Sequence, residues 1–242
     1  DPDFNKAYKN YAVDSVGTHW GACRRRTFLQ YLLNVVKYND AAELPTLDLW
    51  REISDEIAGI YVPESKYMHW IWKQGNLFEE HMLELFKESG IYLDTQVMIY
   101  IPKYNVSGKL DAIVINPNTV KKIICEAKSV YGHNGEKVLG TEQERKYGQC
   151  GEPRDYNLMQ IAIYQFHFTD ESYEYGQLIY GDRGSGVYAV FQVDVDRVTG
   201  VIRYRAISPA VGAWVTVSYT VLDILSVYEG ITKSVEEGVL RF

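Results

Sequence analysis

From Ile91 onward the apolar residues change period, and this change limits the possible folds more than any other feature of the chain. "IYLDTQVMIYIP", "VSGKLDAIVIN" and "VKKIICEAKS" alternate with a period of two, the pattern of three consecutive strands. "INPNT" supplies turn residues between the last two. Before Ile91 the spacing is helical. "THWGACRRRTFLQYLLNVVKY", "PTLDLWREISDEIAGIY" and "ESKYMHWIWKQGNLFEEHMLELFKESG" read as three helices, the second with Pro45 near its start, the third capped by Gly90. After the strands, "VYGHNGEKVLGTEQERKYGQCGEPRD" is polar and aperiodic, and is expected to be a long, mobile loop. "YNLMQIAIYQFHF" restores helical spacing. The strand-like "GQLIYGD", "GVYAVFQVDV" and "GVIRYRAI" follow, then a last helix from about Val221 to Val235. The order predicts a single α/β domain over residues 1–242. It has a mainly helical N-terminal layer over 1–90 and a sheet-containing core over 91–242, a mixed central sheet flanked by helices.

Composition narrows the class without naming a function. The 242 residues are 46% hydrophobic and 24% charged, as in a globular chain, and no apolar run is long enough for a membrane-spanning helix. The opening "DPDFNKAYKNYAVD" lacks the apolar region of a signal peptide, so a cytoplasmic location in a bacterial or phage-infected host cell is expected. Cys23, Cys125 and Cys150 are too scattered for a disulfide framework or a zinc pair. A net charge of −7 argues against coating nucleic acid by bulk charge, while leaving room for local basic patches.

The acids within the strands need explanation. Asp111 lies inside "LDAIVI", and Glu126 and Lys128 close "IICEAK". A carboxylate in a sheet core is costly unless something pairs with it. Strand alternation puts Glu126 and Lys128 on one face. If the two strands form a hairpin, counting outward from residues 116–119 brings Asp111 beside Glu126, within a residue or two. Two carboxylates and an ammonium at one sheet edge suit a hard divalent cation that activates water against a phosphodiester. A plain ion pair to Lys128 fits the same pattern.

"NLMQIAIYQF" adds Gln160 and Tyr164, four residues apart on one helix face. The succession of Asp111, Glu126-x-Lys128 and Gln160-x-x-x-Tyr164 resembles the PD-(D/E)xK nuclease superfamily, in its RecB-like and lambda-exonuclease-like branch. The resemblance runs from about Gly75 to Tyr180 and implies a restriction-endonuclease-like fold acting on DNA with one or two Mg²⁺ or Mn²⁺ ions. Asp111, Glu126, Lys128, Gln160 and Tyr164 would then be the catalytic set. Glu79, Asp111, Glu126 and the Cys125 carbonyl would hold metal, Lys128 would position the attacking water, and Gln160 and Tyr164 would brace the substrate or the lysine. The family's upstream Gly-to-acid spacing favours Glu79, four residues after Gly75, over His81; helical geometry alone leaves both open. "GACRRRTFLQYL" resembles the opening of relatives that bind an iron–sulfur cluster through one early and three late cysteines. No cysteine follows Cys150, so no cluster is expected, and Cys23 is read as a core residue.

Arg24, Arg25, Lys109, Arg145, Lys146 and Arg183 are the candidate DNA contacts. The leading expectation is an exonuclease acting at DNA ends in recombination, repair or phage DNA processing. DNA is the expected partner, with a homo-oligomer or a recombination protein as further possibilities and no membrane. An endonuclease of the same fold and a non-catalytic nucleic-acid-binding or assembly subunit are the alternatives.

Overall fold

The computed structural model describes residues 11–12 and 66–237. The two helices expected before residue 62, together with Cys23, Arg24 and Arg25, lie outside the described residues. The chain divides into two compact units, Glu64–Ile99 with Lys109–Val221 in one, and Asp1–Pro63, Tyr100–Gly108 and Leu222–Phe242 in the other.

The larger unit is an α/β structure built on a seven-stranded mixed sheet flanked by helices. Its strands are β2 (Tyr92–Ile101, in this unit as far as Ile99), β3 (Val106–Ile115, in this unit from Lys109), β4 (Lys122–Val130), β5 (Tyr173–Asp182), β6 (Tyr188–Val195), β7 (Val201–Ser208) and β8 (Val215–Thr220), side by side in that order. β3 and β4 pair antiparallel, with Ala112 opposite Cys125 and Ile115 opposite Lys122. β4 and β5 pair in parallel, and the remaining pairs out to β8 are antiparallel. Parallel neighbours need a long crossover. Residues 131–172 provide it, with α2 (His133–Leu139), α3 (Glu142–Lys146) and α4 (Asp155–His167).

The segment expected as an aperiodic loop therefore contains two short helices. Seven and five residues are too few to show a helical period, but α3 carries a capping box: Thr141 accepts from the Glu144 N–H, and Glu144 accepts from the Thr141 N–H. The chain then doubles back, with Gly151 N donating to Val138 O and Glu152 N to Lys137 O. β8 is a strand that the period-two reading missed.

Helix α1 (Lys66–Glu88) covers one face of the sheet, where Phe78, Met82, Leu83 and Phe86 pack on Ala112, Val114, Ile123, Cys125, Ile179 and Val190. α4 lies on the opposite face, buried continuously from Asn157 to Gln165. Its N-terminus is pinned by Tyr180, whose hydroxyl accepts from Asn157 Nδ2 at 2.8 Å and from the Arg154 N–H at 3.1 Å. Two glycines of β5 admit the helices. A Cβ on Gly176 would stand 3.0 Å from Ile161 of α4, and one on Gly181 would stand 2.2 Å from the Phe78 ring of α1.

The smaller unit contains a short 3₁₀ turn (Pro102–Tyr104), the parallel pairing of β1 (Tyr11–Ala12) with Val106 and Ser107, and helix α5 (Val221–Glu236) from Leu222 on. Among the described residues no helix is long and apolar enough to cross a membrane.

Gly181→Ala should force α1 off the sheet. Loss of about 1–3 kcal/mol is expected in denaturant unfolding, the usual cost of overpacking a close contact. An unchanged midpoint would mean that Phe78 does not hold α1 in place.

Candidate active site

The β3–β4 ladder carries Asp111 to its last hydrogen-bonded step. Beyond the Ala112–Cys125 pair, the next β4 donor, the Ala127 N–H, is taken at 2.8 Å by Asp111 Oδ2. Side-chain capping of the ladder lets the two strands part where the acids sit. The Asp111 carbonyl is held in turn by Thr95 Oγ1 of β2 at 2.7 Å.

Glu126 is 1% exposed. Its Oε1 accepts from Lys128 Nζ at 2.5 Å and from Gln160 Nε2 at 2.6 Å. Gln160 also donates to the Tyr164 hydroxyl at 3.3 Å, and that hydroxyl donates to the Lys109 carbonyl at 3.1 Å. A continuous chain of hydrogen bonds thus runs from Lys128 through Glu126, Gln160 and Tyr164 to the backbone of β3, two residues before Asp111. The four-residue helical spacing makes this possible by stacking Gln160 and Tyr164 on one face. Gln160 grips the carboxylate rather than the lysine. The other oxygen, Glu126 Oε2, is buried without a hydrogen-bond partner.

The charges are unbalanced. Glu79, Asp111 and Glu126 face Lys128 and Lys109, three carboxylates against two ammonium groups. Burial, reinforced by the Asp111 charge, pushes Glu79 up to about 7. Burial also raises the Asp111 and Glu126 carboxyls, against the pull of Lys128. Burial disfavours the Lys128 ammonium, yet Glu126 and Asp111 outweigh it and hold the lysine well above its ordinary range. An added cation would relieve each carboxylate.

Among the described residues, no three His, Cys, Asp or Glu side chains form a ready metal-holding group. What the site offers is a converging pair, Asp111 and Glu126, with Glu79 coupled to it by charge. The donor set is all carboxylate oxygen, one buried oxygen lacks a partner, and negative charge is in excess. These residues fit a hard divalent cation. The Cys125 thiol is buried on the opposite face of β4, donates to Gln177 Oε1 at 3.6 Å and is pushed up by burial, so any part Cys125 plays at the acids is through its backbone carbonyl, as expected from the resemblance.

Glu79, not His81, shares the field of Asp111 and Lys128; His81 is exposed and lines an apolar groove on the other flank of α1. Lys109 is exposed beside the acids, and Arg183 is exposed after β5. Arg145 Nη1 instead caps the Gly140 carbonyl, and Lys146 pairs with Glu142 at 3.0 Å. Sequence reasoning missed Thr95, the Ala127 N–H and the Lys109 carbonyl. The last two are backbone groups, which side-chain patterns do not report.

Comparison with protein-family models finds no match for this chain, and no curated protein matches it.

In the metal-free chain, Glu79 keeps a proton when folded that it has released when unfolded, over the window from 4.5 to about 7. Its contribution to stability is complete below 4.5 and is lost as pH rises through about 7. The thermal midpoint in EDTA should therefore fall across that window, and Glu79→Gln should flatten the fall. Gln160→Leu should cost about 1.5–3 kcal/mol in denaturant unfolding, the range for a buried bond to a charged group.

Proposed function

We propose that the chain is a metal-dependent DNA nuclease of the PD-(D/E)xK superfamily, with a restriction-endonuclease-like fold, acting at DNA ends as an exonuclease of the RecB-like and lambda-exonuclease-like branch. The observation that carries this reading is the hydrogen-bonded chain Lys128–Glu126–Gln160–Tyr164–Lys109 carbonyl beside Asp111. Residues separated by up to 55 positions in the sequence meet with the polarity that phosphodiester hydrolysis needs. Recombination, repair or phage DNA processing is the setting in which end-directed cleavage is used.

Glu126 and Asp111, with Glu79, would hold Mg²⁺ or Mn²⁺, which when bound supplies a Lewis acid and lowers the pKa of coordinated water. Gln160 fixes the Glu126 carboxylate in one rotamer, and Tyr164 locks Gln160 to β3. Asp111 is fixed by the Ala127 N–H. Lys128, one quarter exposed at its side chain, keeps its ammonium against the acids. In that position it orients a water against phosphorus and offsets charge on the phosphate. Lys109, beside it, adds a phosphate contact.

One observation favours the alternative of a non-catalytic nucleic-acid-binding subunit. Lys128 already forms a close ion pair with Glu126, which a purely structural bridge would also do.

Mn²⁺ with a 5′-labelled linear duplex and a closed circular single strand separates these readings. The linear DNA should be degraded and the circle spared. EDTA should abolish cleavage, and Lys128→Ala should lower it by about 10²-fold or more. Cutting of the circle would make the chain an endonuclease. Cleavage by Lys128→Ala at the wild-type rate would remove the proposed site.

A further inference from the structure

α1 has a second flank. Opposite Glu79, its Leu77, His81 and Leu85 face β5 and β6 across a groove of about 540 Å³, floored by Ile179 and Val190. Tyr188, 59% exposed, stands on its rim. At one end is Arg183, whose N–H donates to Val130 O, so the groove opens next to the end of β4, two residues past Lys128.

The other end meets a polar platform. Gln177, Gln192 and Arg205 are in register across β5, β6 and β7, and Gln177 also lines the groove. Arg205 is held by Gln192 Oε1 through Nε at 2.9 Å and Nη2 at 2.8 Å, and Arg203 is held by Asp194 in the same manner. Both guanidinium groups lie on Trp214, at 4.7 and 4.8 Å from the ring centre. Trp214 keeps 38% of its surface exposed. Among the described residues no ion pair involves Arg205, since its anchor is a neutral amide. Of the nearby carboxylates, Asp194 is paired with Arg203, and Asp182, which lines the groove beside Arg183, is turned into its own loop by the Gly184 N–H and by the N–H and hydroxyl of Ser185.

We propose that this groove and the Arg205–Trp214 platform form a track for a single strand of nucleic acid running from the Lys128 edge. The inference rests on the nuclease reading for the choice of DNA. From Arg183 to the level of Gln177 is about 20 Å of strand, room for a few nucleotides. Apolar walls and exposed rings accept unpaired bases, which a duplex keeps stacked inside. Arginines at both ends match the phosphates that flank them. Rings on which bases stack, beside a cationic row, give binding tolerant of sequence. Preorganisation matters here, because the guanidinium groups are fixed before any strand arrives.

The test is fluorescence anisotropy of a labelled twelve-residue oligo(dT) in EDTA, using the full chain. Trp214→Ala, Tyr188→Ala and Arg205→Gln should each weaken binding roughly tenfold, the scale of a lost stacking or cationic contact. Trp214→Phe should restore most of the affinity. Arg205→Gln should also reduce the slope of log K against log salt by about 0.7. Thermal midpoints confirm that the variants fold. If wild type does not bind the oligonucleotide, or all three variants bind within twofold of it, the track is overturned. Wild-type cleavage of linear duplex in Mn²⁺ judges the nuclease reading separately. Variant-sensitive binding without cleavage keeps the track and removes the nuclease, and cleavage with variant-insensitive binding does the reverse.

Discussion

The Gln160–Glu126 hydrogen bond, 2.6 Å long and fully buried, ties α4 to β4 at the point where the sheet can least tolerate a free charge. A carboxylate that is 1% exposed is costly unless its lone pairs are satisfied. Here only one oxygen is. Lys128 and Gln160 both serve Oε1, and Oε2 receives no donor while Glu126 is ionised. A core selected for stability alone would replace such a group with a hydrophobe of similar volume. The surrounding structure instead spends a buried glutamine, a buried tyrosine and a strand carbonyl on keeping Glu126 fixed and half-satisfied. Under the proposed function, that pattern is the one an added cation would complete.

α1 makes the arrangement asymmetric. Phe78 packs directly on the bare β5 backbone at Gly181, a close approach that a Cβ there would block, and so fixes the rotation of the helix. With that rotation fixed, Glu79 faces the acids while Leu77, His81 and Leu85 face the groove. One packing contact thereby assigns the two flanks of a helix to two kinds of chemistry. It also sorts Glu79 from His81, which lie two residues apart.

Period-two alternation made β2 to β7 legible, most plainly in β3 to β6, which carry runs of buried residues. The turn at residues 116–119 and the acids either side of it were readable for the same reason, and the Ala112–Cys125 register lies two residues from the one that strict counting from that turn gives, within the margin expected. β8 escaped because "VTVSYT" has no fully buried residue, so its alternation has no core behind it. α2 and α3 escaped because seven- and five-residue helices complete too few turns to show a period, although the Thr141–Glu144 box was written in the chain. The contact between Gln160 and Glu126 spans 34 residues and depends on how α4 lies across the sheet. Spacing places Gln160 and Tyr164 on one helix face. Only the packing of Tyr180 on the start of α4, and of Ile161 against Gly176, decides what that face meets.

The central claim is that the carboxylate cluster, whose Glu79, Asp111 and Glu126 carboxyls are raised by burial, takes a divalent cation. Calorimetric titration with Mn²⁺ at pH 7, repeated in two buffers of different ionisation enthalpy, tests it most directly, because a cation entering such a cluster must expel protons. Wild type should bind Mn²⁺ and release protons on doing so, and Glu126→Gln should lose both the binding and the release. Binding with no proton release, or binding unchanged in Glu126→Gln, would contradict the account and leave the Lys128–Glu126 pair as a structural bridge.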